Sequence, residues 1–213
     1  EWGAPTFIIP KKDGRIRFIS DFRKLNTFVK RKPYPLPRIQ DMLLKLQGFR
    51  YASALDLNMG YYTIRLDPDA QKLCTIVLPW GKLIYLRLPM GLAGSPDIFQ
   101  EKMSQLMRGL EFVRVYIDDI LVISQGNFEQ HLLQLELALQ RIDKVGLKTN
   151  PKKSFFGRGG IEYLGYWVTG KGVQPQTKKV NSILAMQEPT NRKQLRGFIG
   201  LVNYYRDMWR RRS

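Results

Sequence analysis

Two adjacent carboxylates, Asp118 and Asp119, are the residues whose types and spacing point most directly to chemistry. They lie in "VRVYIDDILVIS", between two aliphatic and aromatic runs that are typical of β-strands. Like charges repel, and a two-residue hairpin turn favours Asp-Gly or Asn-Gly because its central positions take positive φ. The pattern predicts a hairpin with the aspartates at or beside its turn. A divalent cation such as Mg²⁺ would relieve their repulsion, and a plain turn is the alternative.

A third carboxylate, Asp56, stands in "SALDLNMGYY" between Leu55 and Leu57. This spacing is typical of a polar residue on a strand whose neighbours are buried. If the strand lies beside the hairpin, three carboxylates converge and can hold two cations. Two ions roughly 3.5–4 Å apart are what two-metal phosphoryl transfer requires, because they stabilise both the attacking and the departing oxygen. An ordinary edge-strand aspartate is the alternative for Asp56 alone.

The elements that must position these carboxylates follow from turn signals and hydrophobic spacing. "TFIIPKKDGRIRFIS" predicts a β-hairpin with Asp13 and Gly14 at its turn. "RKPYPLPRI", with three prolines, predicts an extended connector, and "QDMLLKLQGF" predicts a short helix that ends at Gly48. "YASALDLNMGYYTIRL" predicts two strands separated by a break at Gly60.

The second half of the chain mixes helices with further strands. "TIVLPWGKLIYLRL" predicts a second hairpin, and residues 95–110 predict a helix with Ser95 as its N-cap. Residues 127–146 predict a strongly amphipathic helix, in which we expect His131 to be an ordinary surface or flanking histidine without a chemical role. Strands in "KSFFGRGGIEYLGYWVTGKGV" and helices near 175–187 and 191–209 follow, so the pattern predicts an α+β fold.

The charge is large and unevenly distributed. The 213 residues carry a net charge of +17, of which residues 1–38 contribute +7 and residues 171–213 contribute +8. The 132 residues between them carry only +2. Two basic flanks around a nearly neutral centre favour a groove that holds a nucleic-acid backbone, whereas a merely solvated surface would scatter the charge.

Composition excludes several other classes of protein. One cysteine, Cys74, rules out an internal disulfide, and one cysteine with one histidine cannot form the usual four-ligand zinc site. Any metal must therefore bind to oxygen ligands. No apolar run reaches the length of a membrane span, and the first residues lack the pattern of a signal peptide. We expect an intracellular protein without a membrane partner.

Six ordered blocks resemble the reverse transcriptases of gypsy-type LTR retrotransposons and, more distantly, those of retroviruses. They are "IPKKDGRIRFISDFRKLN" (9–26), "LDLNMGYY" (55–62), "LPMGLAGSPDIFQ" (88–100), "YIDD" (116–119), "YLGYWV" (163–168) and "KQLRGFIGLVNYYRDM" (193–208). The resemblance implies a right-hand polymerase, with an antiparallel palm sheet backed by helices. Its expected parts are β-rich fingers at 1–31 and 64–94, a palm at 32–63 and 95–172, and the start of a helical thumb at 173–213.

The resemblance also implies roles for individual residues. Asp56, Asp118 and Asp119 match the catalytic aspartates, which bind two Mg²⁺ ions, with Mn²⁺ as a substitute, and position the primer 3′-hydroxyl for attack. The residues that match contacts of the incoming dNTP are Lys11, Lys12, Arg17, Tyr61, Met90 and Ile117. Among them, the bulky ring of Tyr61 would exclude a 2′-hydroxyl and so select deoxynucleotides; an ordinary cross-strand aromatic is its alternative. The residues that match template or primer contacts are Arg23, Gly94, Leu164, Gly165 and Tyr166.

The expected function is that of an RNA-directed DNA polymerase domain of a retroelement. Its expected partners are an RNA or DNA template, a primer strand and a dNTP, and a dimer or a larger polyprotein stays open. The expected location is the cytoplasm or nucleus, with virus-like particles as a further option. Two alternatives remain: a catalytically inactive, truncated or domesticated module that only binds nucleic acid, and an RNA-dependent RNA polymerase.

Overall fold

The computed structural model describes residues 2–10, 14 and 16–208. Helices are mixed there with strands that pair mainly antiparallel, so the predicted α+β class is confirmed. The strands are β1 (Ala4–Pro10), β2 (Ile16–Ser20), β3 (Tyr51–Asn58), β4 (Thr75–Leu78), β5 (Gly81–Ile84), β6 (Val113–Tyr116), β7 (Asp119–Ser124), β8 (Lys148–Thr149), β9 (Phe155–Arg158), β10 (Gly160–Tyr163), β11 (Tyr166–Thr169) and β12 (Gly172–Pro175). The helices are α1 (Arg23–Asn26), α2 (Ile39–Leu44), α3 (Pro68–Leu73), α4 (Ser95–Leu106), α5 (Phe128–Lys144), α6 (Thr177–Leu184) and α7 (Arg192–Asn203).

The N-terminal sheet has the strand order β2-β1-β4-β5. Both predicted hairpins are present in it, because β1 pairs antiparallel with β2 and β4 pairs antiparallel with β5. One face packs Ala4 and Ile76 against Phe22, which gives the sheet a small core of its own. Lys11 and Lys12, for which the sequence predicts contacts with the triphosphate, lie outside the described residues.

The central sheet carries the carboxylates. Its strand order is β6-β7-β3-β8, and β9 also pairs with β3. Side chains alternate along a strand, so Leu55 and Leu57 share one face, where they pack against Phe99 of α4 and Leu135 of α5. Asp56 therefore lies on the opposite face. The burial of one face fixes the register, because a slip of one residue would turn Asp56 into the core.

Two local predictions are wrong. The chain after β3 does not form a second strand: residues 60–63 form a 3₁₀-helix, and Arg65 makes only an isolated bridge with Arg87. Met59, with φ of 54°, turns the chain out of the extended conformation before this segment. Ser95 is not the N-cap of α4, because the helix begins at Ser95 itself and its hydroxyl donates to the Pro89 carbonyl.

The expected surface position of His131 is also wrong, since this residue is fully buried at 0% exposure. Its Nε2 lies 2.8 Å from the Ser53 hydroxyl on β3, and its Nδ1 lies 2.7 Å from the Ser124 hydroxyl on β7. The helical pattern of α5 did not reveal these partners, because they lie on strands that are distant in sequence. His131 thus joins α5 to both central strands.

The C-terminal sheet has the order β10-β11-β12, with antiparallel pairing throughout. The glycine-punctuated strands and the two helices α6 and α7 are present as predicted. Leu164 and Gly165 form the turn between β10 and β11. Within the described residues, no helix is both long enough and apolar enough to span a bilayer.

Candidate active site

The hairpin between β6 and β7 has a strained turn at Ile117 and Asp118, and Asp119 begins β7. Ile117 takes φ of 52°, a left-handed conformation that β-branched residues rarely adopt. Its amide N–H donates to Gln100 Oε1 at 2.7 Å, and Gln100 Nε2 donates to the Val115 carbonyl at 3.3 Å. Gln100 is only 1% exposed, so a buried side chain of α4 holds the turn in its strained shape.

The three carboxylates meet at one corner of the central sheet. Asp56 lies directly opposite Asp119 at the end of the ladder between β3 and β7. The Leu57 N–H donates to the Asp118 carbonyl at 3.3 Å, which ties the turn to β3. The Asp118 carboxyl group lies beside Gly60, where an added Cβ would come within 2.5 Å of the Phe99 ring and within 3.2 Å of Asp118 Oδ1. The glycine thus leaves room for this carboxylate.

The corner carries more negative charge than its neighbours neutralise. Burial, followed by the charges of Asp119 and Asp56, raises the pKa of Asp118 to about 6. Burial and then the charge of Asp56 raise the pKa of Asp119, while Lys153 opposes the rise at both groups. Among the described residues, Asp118 Oδ1 is buried without a hydrogen-bond partner. A crowded, unpartnered carboxylate oxygen is a suitable ligand for a hard cation.

A cavity of about 80 Å³ separates Asp56 and Asp119 from the C-terminal sheet, and Lys153 and Glu162 also line it. Lys153 Nζ lies 3.4 Å from Asp56 Oδ2. In the described part of the chain, no set of three Asp, Glu, His or Cys side chains is close enough to hold a single ion. The carboxylate oxygens of Asp56, Asp118 and Asp119 are suitable ligands for a divalent cation. The three side chains must change orientation, however, before all of them can bind the same ions.

The loop from 150 to 154 fixes the backbone of Asp56. The Asn150 N–H donates to the Asp56 carbonyl at 2.8 Å, and the Asp56 N–H donates to Ser154 Oγ at 3.2 Å. This loop also brings Lys153 to the carboxylates. Lys153 and Gln100 were both missed by the reasoning from sequence, since neither belongs to a local pattern that indicates a site.

The predicted nucleotide contacts that the structure describes, Arg17, Tyr61, Met90 and Ile117, lie on separate parts of the fold. The ring of Tyr61 is 8% exposed and stacks on Phe99 at a centroid distance of 4.9 Å. Burial and the nearby Asp118 charge raise the pKa of Tyr61 to about 12, so this residue belongs to the carboxylate corner. Arg17 is exposed on β2, and Met90 is exposed before α4.

The predicted template contacts, Arg23 and Gly94, are both at helix starts. Arg23 is exposed and forms an ion pair with Asp21, its Nη2 lying 2.6 Å from Asp21 Oδ2. Gly94 is the N-cap of α4 with φ of −89°, and an added Cβ would meet nothing within 4 Å. Among the residues that the structure describes, nothing therefore requires glycine at position 94.

The predicted primer contacts form the turn between β10 and β11. Leu164 has φ of 46° and Gly165 has φ of 82°, and Tyr166 begins β11 with its side chain buried. Leu164 also lines the cavity beside Asp56 and Asp119. The turn is thus a direct neighbour of the carboxylate corner, which is where a primer end would be needed.

A comparison with family models identifies the class of this protein. Residues 9–168 match the model of the reverse transcriptase (RNA-dependent DNA polymerase) family. The chain therefore belongs to this family, whose members use divalent metal ions.

Known relatives indicate the type of element. The chain is 37% identical to the retrovirus-related Pol polyprotein from transposon opus of Drosophila melanogaster, over 96% of this chain and 21% of the relative. It is 33% identical to the transposon Tf2-3 polyprotein of Schizosaccharomyces pombe, over 95% of this chain and 15% of the relative. The relatives are retrotransposon polyproteins, as the resemblance implied. The chain spans about a fifth or less of their length.

Solved structures share the fold. A foamy viral protease-reverse transcriptase in complex with double-stranded DNA has a TM-score of 0.90 and 26% identity, covering 96% of this chain and 36% of that one. The same type of enzyme in complex with an RNA/DNA hybrid has a TM-score of 0.86 and 26% identity, covering 96% of this chain and 27% of that one. The predicted polymerase fold is thereby confirmed.

Proposed function

We propose that this chain is the RNA-directed DNA polymerase domain of an LTR retroelement. The observation that supports this most strongly is the meeting of Asp56, Asp118 and Asp119 at one corner, with Asp118 Oδ1 buried and unpartnered among the described residues. Family membership gives the corner its chemical context. The substrates would be a primer strand, an RNA or DNA template and a dNTP.

The carboxylates of Asp56, Asp118 and Asp119 would hold two Mg²⁺ ions, or Mn²⁺ in their place. When bound, the ions would supply charge stabilisation for the attacking and departing oxygens of the phosphoryl transfer. The protein supplies the placement: Gln100 holds the turn at Asp118, and the 150–154 loop holds Asp56. The Lys153 ammonium group lies within reach of the same site and adds positive charge beside the phosphates.

The nucleotide would be held between the N-terminal sheet and the carboxylate corner. Arg17, with Lys11 or Lys12, would bind the triphosphate, a role that suits the fork of arginine and the point charge of lysine. Tyr61 lies beside Asp118 and would oppose a 2′-hydroxyl by its bulk. Ile117 and Met90 would contact the incoming nucleotide.

The template and primer would lie along the basic flanks of the chain. The relatives that share its fold were solved with double-stranded DNA and with an RNA/DNA hybrid, which supports both kinds of duplex as partners here. Arg23 and Gly94 would follow the template, and the 164–166 turn would hold the primer end. Because phosphate contacts release counterions, duplex binding should weaken steeply as the salt concentration rises.

Primer extension on poly(rA)/oligo(dT) with Mg²⁺ or Mn²⁺ tests the proposal, with Asp118→Asn as the inactive control. We expect extension by the wild type only, together with equal duplex binding by both proteins. If both bound duplex and neither extended the primer, the alternative of a binding-only module would replace the proposal. Incorporation of NTPs as readily as dNTPs would favour an RNA polymerase instead.

A further inference from the structure

Two adjacent tyrosines that follow α7 contact the turn between β10 and β11. The Tyr204 hydroxyl donates to the Leu164 carbonyl at 2.8 Å, and the Tyr205 hydroxyl donates to the Gly165 carbonyl at 2.8 Å. Consecutive carbonyls of one tight turn are thus held by consecutive phenols of another element. Both tyrosines belong to the block "KQLRGFIGLVNYYRDM" (193–208), which by itself indicates no role for them.

The turn depends on partners outside its own hairpin. The ladder between β10 and β11 ends at the pair Tyr163 and Tyr166, so it does not reach the carbonyls of the two turn residues. Leu164 takes φ of 46°, which costs free energy in any residue but glycine. A strained conformation of this kind persists when surrounding groups fix it, and the two phenols provide that fixation.

Further contacts join the same elements. The Tyr166 hydroxyl donates back to the Tyr204 carbonyl at 3.2 Å, and the Tyr205 hydroxyl accepts from the Gln176 N–H at 3.3 Å, directly before α6. The rings of Tyr166, Tyr204 and Tyr205 lie 4.9–5.6 Å apart between centroids. A Cβ at Gly165 would collide with the Tyr204 hydroxyl, so the small residue permits this approach.

We propose that Tyr204 and Tyr205 are positioning residues that couple α6 and α7 to the 164–165 turn. A movement of these helices would then carry the turn with it. The consequence for catalysis rests on the proposed function, because the turn would place the primer 3′ end beside the cavity at Asp56 and Asp119. The contacts that couple the helices to the turn lie within the chain, so the coupling can be measured in the protein without nucleic acid.

The hydroxyl groups distinguish coupling from simple ring packing. Tyr204→Phe and Tyr205→Phe keep the rings and remove one donor each. Tyr85→Phe is the matched control, since the Tyr85 hydroxyl contacts the Ser20 hydroxyl at 3.0 Å in the N-terminal sheet. Backbone hydrogen exchange of β10 and β11 in the free protein should become about 3- to 10-fold faster in both variants and stay unchanged in the control. If the exchange rates at the turn were the same as in the wild type in both variants, the proposed coupling would be wrong.

Single-nucleotide incorporation tests the consequence for the primer end. At saturating template-primer, each Phe variant should lower the maximal incorporation rate about 3- to 10-fold and leave the Kd for template-primer within about twofold. Weaker primer binding with an unchanged maximal rate would make the tyrosines simple binding contacts and overturn their positioning role. If the wild type extended no primer, the proposed function would fail, while hydrogen exchange would still decide the coupling.

Discussion

Gln100 offers a quantitative test of how the carboxylate corner is held. Gln100→Leu keeps the approximate volume of the side chain but removes the acceptor of the Ile117 N–H and a donor to the Val115 carbonyl. The Ile117 N–H and the Val115 carbonyl, both partly buried, lose this partner, and each loss costs about 1–3 kcal/mol. The φ of 52° at Ile117 stores strain of similar size, about 1–3 kcal/mol, which relaxation of the turn would release. We therefore expect a net destabilisation of about 1–3 kcal/mol with a displaced turn.

The displacement should affect activity as well as stability. A shift of about 1 Å at a catalytic group can cost about 100-fold in rate. Thermal unfolding should show a decrease in Tm of roughly 2–4 °C per kcal/mol for a chain of this size. The rate of primer extension should fall by about 100-fold.

A matched control lies on the same helix. Gln105 is exposed on α4, and its Nε2 donates to Glu101 Oε1 at 3.3 Å. Gln105→Leu should leave both Tm and extension close to wild type. If Gln100→Leu kept wild-type extension, the idea that this side chain positions the turn would be refuted.

Three further outcomes are expected. Ile117→Ala should relax selection between dNTPs and sugar-modified analogues, as competition in primer extension would show; unchanged selectivity would exclude contact with the sugar. Burial lowers the pKa of His131 below its value in the unfolded chain, so the folded state binds fewer protons than the unfolded state. The free energy of unfolding should therefore decrease as the pH falls below about 6.5, the usual pKa of histidine. Urea unfolding at pH 7.5 and 5.5 should therefore show a smaller loss for His131→Asn than for the wild type, and equal losses would contradict this. Arg31→Met should lower stability, because it removes the arginine whose Nε lies 2.6 Å from the carboxylate of Asp97, which is 1% exposed; unchanged thermal unfolding would count against this.

The two strands and the hairpin that carry the carboxylates could be predicted because their sequence signals are local. Alternating apolar residues around Asp56 and two aliphatic runs around Asp118 indicate strands, and the buried face of Leu55 fixes their register. The 3₁₀-helix after Gly60 could not be predicted, since the same aromatic residues suit a strand. Propensity alone does not distinguish these conformations.

The supporting residues could not be predicted because their partners are distant in sequence. Gln100 contacts a turn 17 residues away, and Lys153 contacts Asp56 across 97 residues. The helical spacing alone indicates a surface position for His131, because its hydrogen-bond partners Ser53 and Ser124 lie on strands outside the helix. Such contacts depend on tertiary packing. The roles of the nucleotide and template residues stay predictions.

The central claim is that the three carboxylates together hold two cations. A crystal of the chain with template-primer, dNTP and Mn²⁺, with the primer 3′-hydroxyl removed, would locate the ions by anomalous scattering. We expect two Mn²⁺ sites at the corner, with directly coordinating oxygen ligands from Asp56, Asp118 and Asp119. Ions bound elsewhere, or a corner in which Asp56 contacts neither ion, would contradict it.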